Sequence, residues 1–385
     1  MFKKILISYM LISTNFEVAM SCPVDQWTRS SAVFLVSQLE NPHYLPRAKH
    51  TLEKQGMILH ALNRLDEKVR IVSFNILFNC TEERFPEHYQ WPARLPRIIK
   101  LFEYMRPDVI AVQELYPEQL KDLEACIGSE FEFYVGSLQK GELNGIFYRK
   151  ERFEIDREYD VTQQIDILKN GDKRLPFDQK EHEDAKKYPA KDMMAPELEP
   201  GQMFTVLHLC DKKTQRKFAI VNAHFTFRKI HSRACQANYV AQKILKPLGE
   251  TKPVIFTGDL NTFPNRGDLP MLPFNDGDDI LKVISQKSKL DNAMDNALLG
   301  HLGMSSSTNN AFAPVVRPFD GLGNPGVFAD HIYVSDRVQT IVHAVESALV
   351  DGFFVSDHFP IFIDCLIEET PLKAAEKEEA YFFPA

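Results

Sequence analysis

Residues 254–264 constrain this chain more than any other stretch. An apolar run suited to a strand, Val254-Ile255-Phe256-Thr257, stops at Gly258; Asp259 and Asn261 follow, then Pro264. Residues two apart at a strand end can point to the same side. A carboxylate and an amide placed so can orient a water and bind a phosphoryl oxygen near a metal. Alone, the stretch reads equally well as a strand followed by an Asx turn. The design recurs, however. Residues 69–77 form an apolar run with Asn75 near its end, and residues 108–114 end on Glu114. Residues 218–225 end in Asn222-Ala223-His224-Phe225. Asp330 heads a strand-like run, and Asp357-His358 precede the apolar residues 361–365.

Helical spacing lies between some of these runs, at residues 94–105, 118–126 and 232–245, with Pro107 closing the first. Hairpins join others: residues 131–135 with 145–148, and 204–209 with 218–223. Residues 340–350 continue the sheet. That order is not the strict strand–helix alternation of a doubly wound fold. It suits an α/β sandwich in which two mixed sheets pack face to face between outer helices. Residues 22–68 read as a helical extension and 69–367 as the domain proper. Residues 157–201 read as an insertion, a lid or a solvated loop, with little apolar period. An acidic stretch, Asp276-Gly277-Asp278-Asp279, reads as variable; 303–328 reads as loop, and 368–385 as a loose tail.

The first 21 residues resemble an export signal. Lys3 and Lys4 precede the apolar residues 5–12, and Ala19-Met20-Ser21 offers small residues where a signal peptidase reads. The expectation is an exported, secreted or periplasmic protein, with a cytoplasmic protein and an ordinary hydrophobic N-terminal element as the alternative. Six cysteines show no metal-type pair spacing. The net charge of −8 argues against tight, sequence-indifferent binding of duplex nucleic acid, although a basic groove can sit on an acidic protein.

Collected, the strand-end polar residues are Asn75, Glu114, His224, Asp259, Asn261, Asp330, Asp357 and His358. Each alone is ordinary strand-end polarity. Together they hold carboxylates, amides and two histidines, with no Ser or Cys nucleophile at a tight strand-to-helix turn. A hard cation needs oxygen ligands, which Glu114 and Asp357 can supply. A zinc site would want more His or Cys. The other histidines read as structural or exposed, and His331 as supporting.

Phe74-Asn75-Ile76-Leu77, Val112-Gln113-Glu114, Asn222-Ala223-His224-Phe225, Gly258-Asp259-Leu260-Asn261, Asp330-His331-Ile332 and Ser356-Asp357-His358-Phe359-Pro360 resemble the successive motifs of the endonuclease/exonuclease/phosphatase superfamily. The resemblance implies a four-layered α/β sandwich with its site at one end of the sheets. It implies Mg²⁺, with Mn²⁺ as an alternative, held by Glu114 with Asn75 and Asp357 nearby. Asp259 and Asn261 would orient the attacking water, and Asn222, His224 and Asn261 would bind phosphate. His358 would pair with Asp330, and His224 would be the second histidine. Leu77 stands where some nucleases carry a second metal-site carboxylate, and the tyrosine some place before the Gly145 strand is not evident. Trp91, Arg94, Arg233 and Gln236 look more like a bacterial phosphatase-like branch.

The implied activity is hydrolysis of a phosphodiester or phosphomonoester in a nucleic acid, a phospholipid or an inositol phosphate. The competing reading is a binding protein that kept the fold without catalysis. The basic stretch 228–233 suits a polynucleotide, or an inositol or lipid head group, and the loop 319–328 could touch a membrane or close the site. No obligate protein partner is evident, and a monomer is expected.

Overall fold

In this computed structural model the described residues are 56–79, 85–135, 142–156, 204–225, 230–262, 276–302, 308–310, 312 and 328–372. The chain divides into two compact units, Met1–His60 and Ala61–Ala385. Of the first, only the helical residues 56–60 are described. The expected export signal, most of the helical extension, the insertion, the basic residues Arg228 and Lys229, most of the loop 303–328 and most of the tail lie outside the described residues.

Among the described residues of the second unit, thirteen strands form two mixed sheets. The strands are β1 (Val69–Asn75), β2 (Val109–Leu115), β3 (Phe131–Val135), β4 (Leu143–Arg149), β5 (Phe153–Ile155), β6 (Phe204–Asp211) and β7 (Lys217–His224). They continue with β8 (Val254–Asp259), β9 (Asp291–Asn292), β10 (His301–Leu302), β11 (Asp330–Val334), β12 (Val338–Val345) and β13 (Ile361–Ile367). One sheet has the order β10-β12-β13-β1-β2-β4-β3, the other β5-β6-β7-β8-β11-β9. Each has a parallel pair near its centre, β1 with β2 and β7 with β8, and antiparallel neighbours outside it.

Period two decides what each strand face meets. Ile220 points between the sheets and packs with Ile71, Val109, Ile146, Leu207, Ile255 and Ile363. Its neighbours Ala219 and Val221 point outward, where Phe256 and Tyr333 also lie, against helices. Those helices are α3 (Ile230–Tyr239) and, past a π-helical turn at Val240–Leu245, α4 (Lys246–Thr251), together with α5 (Asp276–Ser288). On the other sheet α1 (Trp91–Met105) buries Ile98, Leu101, Phe102 and Met105, and Phe102 meets Phe74 edge to face. A second helix, α2 (Pro117–Ile127), follows β2. The result is the four-layered α/β sandwich expected from the strand order. The helix expected at 94–105 begins at Trp91 and ends on Arg106 in the left-handed region, one residue before Pro107. The acidic stretch at 276–279, read as variable, is helical. It opens α5, whose Ile280 and Ile284, one turn apart, are buried.

The two central parallel pairs bring the polar strand ends together. Asn75 and Glu114 lie at the ends of β1 and β2, and His224 and Asp259 at the ends of β7 and β8. The antiparallel strands β11 and β13 start at this same end, so Asp330 and the loop before Ile361 arrive there too. The β7–β8 approach is unusually close at Gly258, which has φ +152°; a Cβ there would sit 1.8 Å from the Ala223 carbonyl oxygen. Gly258→Ala must therefore push β7 and β8 apart directly beneath Asp259. The expected loss is at least about 3 kcal/mol of unfolding free energy, measured by urea denaturation. A loss within ~0.5 kcal/mol would contradict this account of the strand contact.

Candidate active site

Strand register places three site residues side by side. His224 is the direct neighbour of Asp259 across β7 and β8, and Asp330 is its direct neighbour across β8 and β11. From the other side, the loop before β13 delivers Asp357 and His358. The Ser356 hydroxyl anchors that loop by donating to the Asn75 carbonyl at 2.8 Å.

Asp259 is the meeting point. Its Oδ1 accepts the backbone N–H of Asn261 at 2.9 Å, which turns Asn261 back towards it; Asn261 has φ 47°. Its Oδ2 accepts Asn75 Nδ2 at 3.1 Å. The Nε2 atoms of two histidines face the same oxygen, His224 at 3.6 Å and His358 at 3.7 Å. Each histidine is backed at Nδ1 by a carboxylate: Glu142 at 2.7 Å behind His224, and Asp330 at 2.8 Å behind His358. Each also meets an amide at Nε2, Asn261 at 3.1 Å for His224 and Asn309 at 3.0 Å for His358. The Asp330–His358 contact, implied only by resemblance from the sequence, is therefore present in the structure.

The oxygen-rich pole lies on the other sheet. Glu114 sits in the left-handed region at φ 54°, a costly place for a residue with a Cβ. Its Oε1 accepts Asn75 Nδ2 at 3.0 Å and its Oε2 accepts the Phe78 N–H at 3.2 Å. Among the described residues no ion pair reaches it. Burial pushes its carboxyl above the usual range; the charge of His224 opposes this and that of Asp357 adds to it. Glu114 and Asp357 are oxygen donors of the kind a hard divalent ion takes, while Asn75 turns its Nδ2 to Glu114 and its Oδ1 to the Leu77 N–H. Asp259, Asp330 and His358 form a second group, with one ligand atom each within 4.8 Å of one another. The two groups share no residue. In the second, His358 gives Nδ1 to Asp330 and turns Nε2 towards Asp259, the orientation a carboxylate-backed histidine also takes when it ligates a metal. Both groups offer donors that a divalent cation takes.

One expected site residue lies elsewhere. Asn222 shares a strand face with Ile220 and His224 but sits one step deeper, fully buried between the sheets. Its Nδ2 donates to the carbonyls of Val112 and Gly145, both at 2.9 Å, and its Oδ1 accepts Gln113 Nε2 at 2.7 Å. The side chain is spent joining the sheets, so the phosphate-binding role expected for it is corrected to that of an inter-sheet strut. Glu142 and Asn309 were missed. Both stand in loop sequence where no periodicity marks them. Glu142 lies directly before β4, where the family resemblance would place a tyrosine.

A sequence model of the Endonuclease/Exonuclease/phosphatase family matches residues 72–358, and the chain belongs to that family. Solved structures agree on the fold. An endonuclease/exonuclease/phosphatase from Bacteroides vulgatus superposes with a TM-score of 0.58 at 20% identity, over 78% of this chain and 99% of its own. A mannosyl-6-phosphatase from Bacteroides thetaiotaomicron gives 0.55 at 19% identity, over 78% and 100%. TDP2 from D. rerio, complexed with single-strand DNA product, gives 0.50 at 17% identity, over 77% and 98%. No curated protein sequence matches.

Two kinds of histidine are present around the sheets. Burial alone would lower His224, but the bond to Glu142 and the charge of Asp259 raise it to about 10. Burial likewise opposes the charge on His358, and Asp330 and Asp259 lift it well above its usual value. His331 and His208 go the other way. Burial lowers each to about 4, helped at His208 by the charge of Lys252. His331 donates from Nε2 to the Thr262 carbonyl at 2.9 Å as a neutral ring. A depressed histidine pKa means that the unfolded chain takes up the proton first. The stability from these two groups is complete above the unfolded value of about 6.5 and is lost as pH falls towards 4. Unfolding free energy should drop over that window, and His331→Gln should flatten the drop by on the order of 1–3 kcal/mol. Identical pH slopes for the two proteins would contradict the neutral, buried assignment.

Proposed function

We propose that this protein hydrolyses a phosphate ester with a divalent cation, Mg²⁺ or Mn²⁺, held by Glu114 and Asp357 with Asn75 alongside. The observation that carries the reading is the convergence of two carboxylate-backed histidines on Asp259 Oδ2, beside the half-buried carboxylates Glu114 and Asp357. A cation held there would supply charge neutralisation at a phosphoryl oxygen. The remaining work belongs to the chain. Asp259 and the Asn261 amide hold the attacking water, and Asp259 accepts its proton. His358, kept charged and oriented by Asp330, lies against the negative charge that grows on phosphorus-bound oxygen. His224, backed by Glu142, serves as the proton donor to the leaving oxygen. Family membership supports hydrolysis of phosphate esters in general.

The similar structures include a sugar phosphatase and a protein bound to a DNA product, so the panel of substrates should span both kinds. Plasmid DNA, poly(A), a phosphoinositide, sphingomyelin and a sugar phosphate, each with Mg²⁺, would assign the ester. The inactive-binder reading requires no turnover on any of them.

Glu114→Gln keeps the volume and removes the charge that a cation needs. Hydrolysis of bis-p-nitrophenyl phosphate should fall roughly 10²-fold or more, while the circular dichroism spectrum stays that of the native chain. EDTA should abolish native activity. A Glu114→Gln variant with an unchanged Mg²⁺ dependence would contradict the cation assignment.

A further inference from the structure

Arg94, on α1, is fully buried at 0% exposure. Its guanidinium gathers backbone carbonyls from two separate loops. Nη1 donates to the Ile76 carbonyl and lies 3.5 Å from that of Val355. Nη2 donates to the carbonyls of Leu77 at 3.2 Å and Phe78 at 2.9 Å. Three consecutive carbonyls can face one point only if the chain winds tightly. Leu77 accordingly stands in the left-handed region at φ 59°, unfavourable for a side chain of its kind. Its N–H is caught by Asn75 Oδ1 at 3.0 Å, and its carbonyl also accepts Gln119 Nε2 from α2 at 2.9 Å.

The winding has a consequence on the opposite side of the loop. With the carbonyls turned towards Arg94, the Phe78 N–H turns towards Glu114 and donates to Oε2 at 3.2 Å. Asn75, one end of the same loop, donates to Oε1 at 3.0 Å. Val355, the fourth carbonyl, directly precedes Ser356, which bonds the Asn75 carbonyl, and Asp357 follows. One planar cation thus ties together the loop that holds Glu114 and the loop that carries Asp357. A lysine could not do this, because a single ammonium lacks the fork that reaches separate carbonyls.

We propose that Arg94 is a positioning residue for the cation. By collecting the carbonyls of Ile76, Leu77, Phe78 and Val355, it fixes the loop that bonds Glu114 and the loop that carries Asp357 relative to each other. The inference rests on the cation reading above. It touches neither substrate nor ion, and acts through the two loops. Groups that orient metal ligands from behind typically change metal affinity by about 10- to 100-fold when replaced.

The test is Mn²⁺ binding to the full-length protein, followed by titration calorimetry on native, Arg94→Lys and Gln119→Met chains. Cation-free melting temperatures are recorded alongside. Native protein should bind Mn²⁺, Arg94→Lys should bind it about 10- to 100-fold more weakly, and Gln119→Met should show a smaller loss. A purely structural role would lower the melting temperature and leave the affinity of the folded fraction unchanged, and that result overturns the proposal. Should Arg94→Lys fail to fold, Gln119→Met decides, since it removes a separate donor to the Leu77 carbonyl; native affinity there overturns the proposal as well. Absence of Mn²⁺ binding in the native protein overturns the cation reading itself, a different outcome from equal binding in all three chains.

Discussion

The Asp259 carboxylate is the contact on which the candidate site depends. It is 1% exposed, and a buried polar group at that depth must be satisfied by the protein around it. Asn75 supplies a hydrogen bond from one sheet and the Asn261 backbone supplies another from the turn after β8. Two imidazoles face its Oδ2. That arrangement requires β7, β8 and β11 to lie in strict register, because His224 and Asp330 flank Asp259 as neighbours across the strands. The register in turn requires Gly258, since no side chain fits between it and Ala223.

Asn75 joins the two halves of the site. Its one amide nitrogen bonds Glu114 in its own sheet and Asp259 in the other. The oxygen cluster and the histidine cluster therefore cannot drift apart without breaking that link. Beneath them, Asn222 and Gln113 tie the sheets together with buried hydrogen bonds, and Arg94 ties the loops. Buried hydrogen bonds of this kind hold the region they occupy in place. A rigid cradle is what positioning a phosphate and a water demands.

Much of this was legible in the sequence because strand ends are. Apolar runs that stop on Asn75, Glu114, His224 and Asp259 announce both the strand and the residue it presents. Asp330 and His358 were readable as candidates, but their contact spans 28 residues of separation and needed coordinates or the family resemblance. Asn222 shows the limit of reading by motif. It stands two residues from His224, and period two correctly puts both on one face, yet depth along the strand decides that one meets the site and the other meets β2 and β4. Glu142 and Asn309 lie where neither period nor turn chemistry singles out a residue. The acidic start of α5 was hidden because charge and a glycine outweighed the Ile280–Ile284 spacing behind them.

The central claim is that carboxylate and imidazole act as one unit at this site, most plainly in Asp330 and His358, 2.8 Å apart. The direct measurement is kcat for the native chain, Asp330→Asn, His358→Ala and the double variant, on the best ester from the substrate panel. Residues that act together are strongly non-additive when removed. The account predicts a loss of roughly 10²–10⁴ for His358→Ala, a smaller loss for Asp330→Asn, and a double variant barely worse than His358→Ala alone. Two single losses that multiply in the double variant would contradict it.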